Sequence, residues 1–234
     1  MDREVSNLNE LFALAQTKVS LAMGLTIYIK APLYDAKPGV NYFIEQFLSR
    51  FEGKLTWYID FKMSGAKKAS PKLVRYPLRW LNDPAQADDC FGWFIYEASR
   101  CQDAPSILLE GASEAQSYRY LSYLKALFPV AMFERDYETF VDLVKDWIKD
   151  LPFFFGYGGF FFSESLVPGE NESNSKHVFA VANRFPGIEV DNPTGTSLTL
   201  RDSIKGVNWL TLFNDDFLAK LGGLEKLSSQ LGRE

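Results

Sequence analysis

The sequence predicts an α+β fold, a largely antiparallel sheet with helices packed on it in a single domain. Three observations carry that expectation. Two segments repeat their apolar residues at the helical period, several short β-branched and aromatic runs sit between turn residues, and the two kinds interleave without a regular βαβα rhythm. A chain of 234 residues with 47% hydrophobic and 24% charged residues has ordinary globular composition and enough mass for one full core.

Each element follows in order. Leu8, Leu11, Phe12, Leu14 and Ala15 fall at helical spacing, so residues 1–18 read as an amino-terminal helix or arm, ahead of an α+β domain over 19–234. Val19, Ile27, Tyr28 and Ile29 predict a long strand that ends before Pro32. Pro38 and Gly39 turn the chain into a helix whose stripe is Val40, Phe43, Ile44, Phe47, Leu48 and Phe51, stopped at Gly53. Leu55 to Phe61 reads as a strand, Met63 to Pro71 as a flexible loop, and a short helix is expected around Arg79. Phe91 to Ala98, Ser106 to Gly111 and Tyr118 to Phe128 supply three more strands.

Phe140, Leu143, Val144, Trp147, Ile148 and Leu151 mark a second helical face, with Asp136 and Glu138 at the positive end of its dipole and Pro152 beyond it. Phe153 to Phe162 is an aromatic strand in which Gly156, Gly158 and Gly159 predict a bulge or a close backbone approach. A polar loop over 167–174 precedes a helix through Val178, Phe179, Val181, Ala182 and Phe185, and Asp191, Asn192 and Pro193 mark a turn. Val207 to Phe213 reads as the last strand, before short helices around Leu218 and Leu227.

Composition narrows the function classes. A net charge of -5, from 30 acidic and 25 basic residues, argues against a nucleic-acid binder and leans toward a basic partner. Cys90 and Cys101 lack CxxC spacing, and the single His177 has no thiol nearby, so neither a metal nor a cofactor is expected. Asp2, Arg3 and Glu4 do not make a basic leader, and no apolar run reaches the length of a membrane span. The expected location is the cytoplasm, with both cysteines reduced and buried as small hydrophobes.

Motifs with chemistry are sparse. Gly156, Gly158 and Gly159 lack the lysine and hydroxyl residue of a phosphate loop, and His177 has no GxSxG-type nucleophile beside it. The sequon at Asn171, Glu172 and Ser173 is uninformative without a secretion signal. Asp60 with Lys62, preceded by Asp35 and Glu45, is the one set that would serve a metal-dependent nuclease or hydrolase. Acidic residues able to meet a basic partner are Asp88, Asp89, Glu110, Glu114, Asp191, Asp215 and Asp216, with Asp142 and Asp146 as further acidic positions. The 20 Phe, 11 Tyr and 5 Trp supply a heavy core and contact anchors.

Lys205, Gly206, Val207, Asn208, Trp209, Leu210, Thr211 and Leu212, followed by LAKLGG from Leu218 to Gly223, resemble a bacterial family of type VI secretion immunity proteins directed against nuclease effectors of the VRR type. The likeness extends to FPGIEVDNPTGTSLTL from Phe185 to Leu200, to the Gly-Tyr-Gly-Gly of 156–159, and to Leu109, Glu110 and Gly111. It implies an antitoxin, not an enzyme, that binds and neutralises a cognate nuclease effector by occluding its active site or nucleic-acid groove. No nucleic-acid or membrane partner is implied, and a homo-oligomer is possible. A scaffold protein of a secretion locus is a further alternative. The blocks themselves read as structure: Trp209, Leu210 and Leu212 are expected to be buried, Asn208 to satisfy backbone groups, and Gly222 with Gly223 to close a helix. The toxin contacts are expected on the acidic loops.

Overall fold

The computed structural model describes residues 19–115, 120–134, 136–167, 178, 182–200 and 202–231. The expectations for the arm at 1–18, the sequon at 171–173 and His177 lie outside the described residues. The helix expected near Val178 to Phe185 is described at 178 and 182–185, of which 178 and 182–184 are helical.

Strand β1 (Val19–Ile29) lies at the centre of the sheet between β6 (Ser122–Phe128) and β7 (Phe153–Glu164), antiparallel to each, and is buried along nearly its whole length. A strand buried on both faces reads as a continuous apolar run, not an alternating one. Outward from β6 come β5 (Ile107–Ser113), β4 (Phe91–Glu97), β2 (Trp57–Asp60) and β3 (Lys67–Lys68). On the other side, β7 pairs antiparallel with β9 (Leu210–Phe213) along its first half and parallel with β8 (Ile188–Val190) along its second. The sheet is therefore antiparallel except at that one junction.

Helices α1 (Lys37–Phe51) and α4 (Tyr137–Ile148) cover the first face, each laying down its predicted stripe. Asp136 caps α4 by accepting from the Glu138 and Thr139 N–H groups. Between helices and sheet, Phe128 is fully buried among Phe47, Phe51, Phe133, Phe140 and Trp147 at centroid distances of 5.4–6.3 Å. Each ring of this size, fully buried, contributes about 1.5–3 kcal/mol through removal of apolar surface from water. Two further short helices, α2 (Pro71–Val74) and α3 (Tyr76–Leu81), close this layer near Arg79.

Among the described residues, the second face is only partly covered. Segment 188–200, containing α5 (Pro193–Thr199), and helix α6 (Asp215–Lys220), through the buried Phe217, lie over its Tyr28, Tyr157 and Phe161. Helix α7 (Gly223–Leu231) is the last described element, and Gly222 and Gly223, with φ of 94° and 87°, make the left-handed turn between α6 and α7 as expected.

Several expectations are corrected. The 63–71 segment is not all loop, because Lys67 and Lys68 pair with Trp57 and Tyr58 as β3. Asn192 does not simply turn the chain: its side chain accepts from the Gly195 N–H and, with Pro193 in the first turn, starts α5. Of the two readings of the β7 glycines, the close approach is the one found. A Cβ at Gly156 would strike Ile27 and the Thr26 carbonyl, whereas the register shift lies between Tyr28 and Ile29. The last strand begins at Leu210, leaving Val207 81% and Trp209 54% exposed, and Leu210 and Leu212 only half-buried. Cys90 and Cys101 are free thiols, half-buried rather than buried.

Candidate functional site

Cross-strand register builds one polar row on the second face. Ile59 faces Phe94, Phe94 faces Glu110, Glu110 faces Lys125, Lys125 faces Thr26, Thr26 faces Tyr157 and Tyr157 faces Thr211. Side chains in directly opposed positions lie within contact range, so an acid, a base, an alcohol and a phenol meet on an otherwise apolar sheet.

Asp191, arriving from β8, completes the group from above. Its carboxylate receives Tyr157 Oη at 2.6 Å, Thr26 Oγ1 at 2.8 Å and Lys125 Nζ at 3.1 Å, with Lys205 Nζ at 3.8 Å. Glu110 is less well served: Tyr123 Oη donates to it at 2.9 Å, but Lys125 Nζ stays 3.9 Å away. Tyr28 and Tyr157 hydroxyls lie 3.0 Å apart, as do those of Tyr123 and Thr194. Side-chain exposure is 0% for Asp191, 5% for Glu110 and 7% for Lys125, so these are interior charges.

The electrostatic consequences differ between the two acids. Burial pushes Asp191 upward, but Lys125, Lys205 and the hydroxyls of Tyr157 and Thr26 outweigh it and hold the carboxyl below its ordinary value. For Glu110 burial wins over Lys125, helped by repulsion from Asp191, and the carboxyl is pushed up to about 7. Burial would depress Lys125, yet Asp191 and Glu110 together raise it, so the ammonium persists. Glu164 is also raised, mainly by burial.

Beside this row a groove of about 370 Å³ opens where α5 stops covering the sheet, with Phe94, Leu108, Leu127 and Leu166 as apolar walls. Glu110, Lys125 and Asp191 line it, together with Glu164. Outward over β4 and β2 no described segment covers the sheet: Trp57, Ile59 and Phe94 are half-buried, and Phe61, 55% exposed, lays its ring across Gly92. A Cβ at Gly92 would collide with that ring.

The acidic positions separate under this geometry. Glu110 and Asp191 come together, but as buried charges rather than loop residues offered to solvent, which corrects that expectation. The apolar sheet and the 188–200 crossing enclose them. Asp89 pairs with Lys62 at 2.8 Å, beside the exposed Asp88 in the loop before β4. Glu114 is half-buried after β5, 3.9 Å from Cys90 Sγ, and Asp215 and Asp216 are exposed in the first turn of α6. Asp142 and Asp146 pair with Lys145 and Lys149 on the outer surface of α4.

The hydrolase set is not assembled. Asp60 accepts from Tyr58 Oη and from the Lys62 N–H, closing its own turn, while the Lys62 side chain reaches Asp89 and Glu45 pairs with Arg75. Among the described residues no group of three or more His, Cys, Asp and Glu is placed to hold a metal ion.

Sequence reasoning passed over Lys125, Thr26, Tyr123 and Tyr157. The available signal was a lone lysine in the apolar run SYLKALF and a lone glutamate in ILLEGAS, opposite charges inside two neighbouring strands. Lys205 also gains a role: it reaches Glu189, the Val190 carbonyl and Asp191, tying the 205–212 block to the charged row. Asn208 does not fill the role expected of its side chain. Thr211 Oγ1 bonds its backbone groups, while Asn208 Nδ2 is buried with no acceptor among the described residues.

Comparison with known proteins places this architecture. The family model TsiV, type VI immunity for VRR-NUC, matches residues 40–234. The solved structure of the type VI secretion system protein PA0821 of Pseudomonas aeruginosa is similar to this chain, with a TM-score of 0.76 and 25% identity over 91% of this chain. The match spans 61% of that protein's length. No curated protein matches.

Proposed function

This chain belongs to the TsiV family, type VI immunity for VRR-NUC, and from that premise we propose that it neutralises a VRR-NUC effector by direct, non-catalytic binding through the open part of its second sheet face. The expected site of action is the cytoplasm, where the effector's nucleic-acid substrate resides. Binding there occludes the effector's active site or nucleic-acid groove.

The family match over 40–234 carries this reading, and the uncovered sheet supports its location. A stable protein interface buries about 1,200–2,000 Å², which the groove alone does not supply. The aromatic strip of Phe61, Phe94 and Trp57 extends the same face, and partly exposed aromatics beside a polar recess are the residue types that dominate binding energy. Acidic groups around the recess favour a basic partner surface, such as one that grips a phosphate backbone.

Co-expression tests the proposal. Cells making a VRR-NUC effector from the source genome are expected to survive when this chain is present, and the two proteins to copurify as a complex. Survival without a complex, or a complex without survival, would reject direct neutralisation.

A further inference from the structure

Three carboxylates line the groove, Glu110, Glu164 and Asp191, against one ammonium, Lys125. Asp191 is saturated by Lys125, Tyr157 and Thr26. Lys205, the next cation among the described residues, pairs with Glu189 and stands 3.8 Å from Asp191. Among the described residues, the carboxylates least compensated are therefore Glu110, whose nearest cation, Lys125, stands 3.9 Å away, and Glu164.

We infer that this groove receives one basic side chain of the effector, arginine or lysine, its stem against Phe94, Leu108 and Leu127 and its cation paired with Glu110, with Glu164 alongside. The inference rests on the immunity reading and adds what enters the site. Long basic side chains lay their methylenes on apolar surface while presenting charge at the tip, which fits apolar walls around acidic groups. A metal ion fits poorly, because Lys125 already stands between Glu110 and Asp191 as their cation. An acidic side chain would be repelled by Glu110, Glu164 and Asp191, so the groove also selects its partner.

The fit has a proton signature. Glu110 is pushed up to about 7 by burial, so near neutrality it is only partly ionised in the free protein. The groups facing it are Lys125 and Tyr123 from β6, Asp191 and Thr194 from the 188–200 crossing and Tyr28 from β1, with Glu164 of β7 lining the same groove. An arriving cation favours the ionised carboxylate, so binding expels a proton and tightens as pH rises.

The test is calorimetric titration of the full chain with a VRR-NUC effector from the source genome, in two buffers of different ionisation enthalpy at pH 7. Net proton release on binding is expected, with affinity about tenfold weaker at pH 6 than at pH 8, since ionisation of a group near pH 7 changes by about that factor. Glu110→Gln is expected to weaken binding at least tenfold and abolish the proton release. Glu164→Gln, at a half-buried position, is expected to weaken it about fivefold with the fold intact. If Glu110→Gln fails to fold, Glu164→Gln decides. Binding within twofold of wild type in whichever variants fold, or affinity independent of pH, would overturn the inference while leaving immunity standing. A wild-type chain that does not bind the effector overturns both.

Discussion

Glu110 and Lys125 show how one residue's setting decides its chemistry. Both sit at strand positions facing the same interior, yet Lys125 has two carboxylates to hold its proton while Glu110 has one distant ammonium and a phenol. Raising Glu110 from 4.5 to about 7 corresponds to about 3 kcal/mol of differential stabilisation between its protonated and ionised forms. The sign is fixed by which state holds the proton. Between about 4.5 and 7 the unfolded chain has lost it and the folded chain retains it, so Glu110's contribution to stability falls as pH rises through that window. Below it the contribution is fully present. Asp191 has the opposite sense: lowered in the fold, it stabilises above its unfolded value of 3.8 and loses that contribution in stronger acid. Denaturant titrations of wild type and Glu110→Gln are expected to diverge progressively between pH 4.5 and 7, the variant gaining relative stability at the upper end. Lys125→Met, which strands the two carboxylates, is expected to cost about 3–5 kcal/mol at pH 7 and less at pH 4, where protonation relieves them.

The elements differ in how far local sequence specifies them. Helices α1 and α4 appear where their apolar period predicts them, because an amphipathic stripe of five or six residues admits one burial solution. Helix α5 was not anticipated. Its sequence, PTGTSLT, has no apolar stripe, and it forms because Asn192 caps it and Thr196 and Ser197 bury against the sheet. Asn192→Ala is therefore expected to cost about 1 kcal/mol in denaturant unfolding. The same change loosens the crossing that carries Asp191, so effector affinity is expected to drop with it. Strand β3, two lysines long, likewise carries no readable pattern; it exists because Trp57 and Tyr58 offer a free strand edge.

At the scale of the whole molecule, one sheet face is closed by helices α1 to α4 and the other is left half open by the described residues. Phe128, buried against α1, α4 and five aromatic rings, is central to the closed side, and Phe128→Ala is expected to destabilise by about 3–5 kcal/mol through the cavity it leaves. The open side should respond differently. Phe61→Ser, at an exposed ring on the uncovered strands, is expected to leave thermal stability nearly unchanged and to weaken effector binding at least tenfold, measured by the same titration. Asp215→Asn with Asp216→Asn, in the first turn of α6, is the matched control: equal binding by that double variant and loss by Phe61→Ser would locate the contact on the sheet rather than on the carboxy-terminal acids.

The sequence by itself determined the fold class, the two long helices, most of the strands and the family, because apolar periodicity and turn residues are local and the block from Lys205 to Gly223 is distinctive in order and spacing. It also indicated an acidic chain with a basic partner in view. Only the tertiary structure decided which acids matter together. Glu110 and Asp191 are 81 positions apart and meet because cross-strand register sets Glu110 against Lys125 and the 188–200 crossing lowers Asp191 onto the same ammonium. Register is a property of paired strands, and neither strand records its neighbour in its own residues. For the same reason the half-open second face, where Phe61 and Phe94 stand beside the charged row, became visible only once the helices had taken their places on the other side.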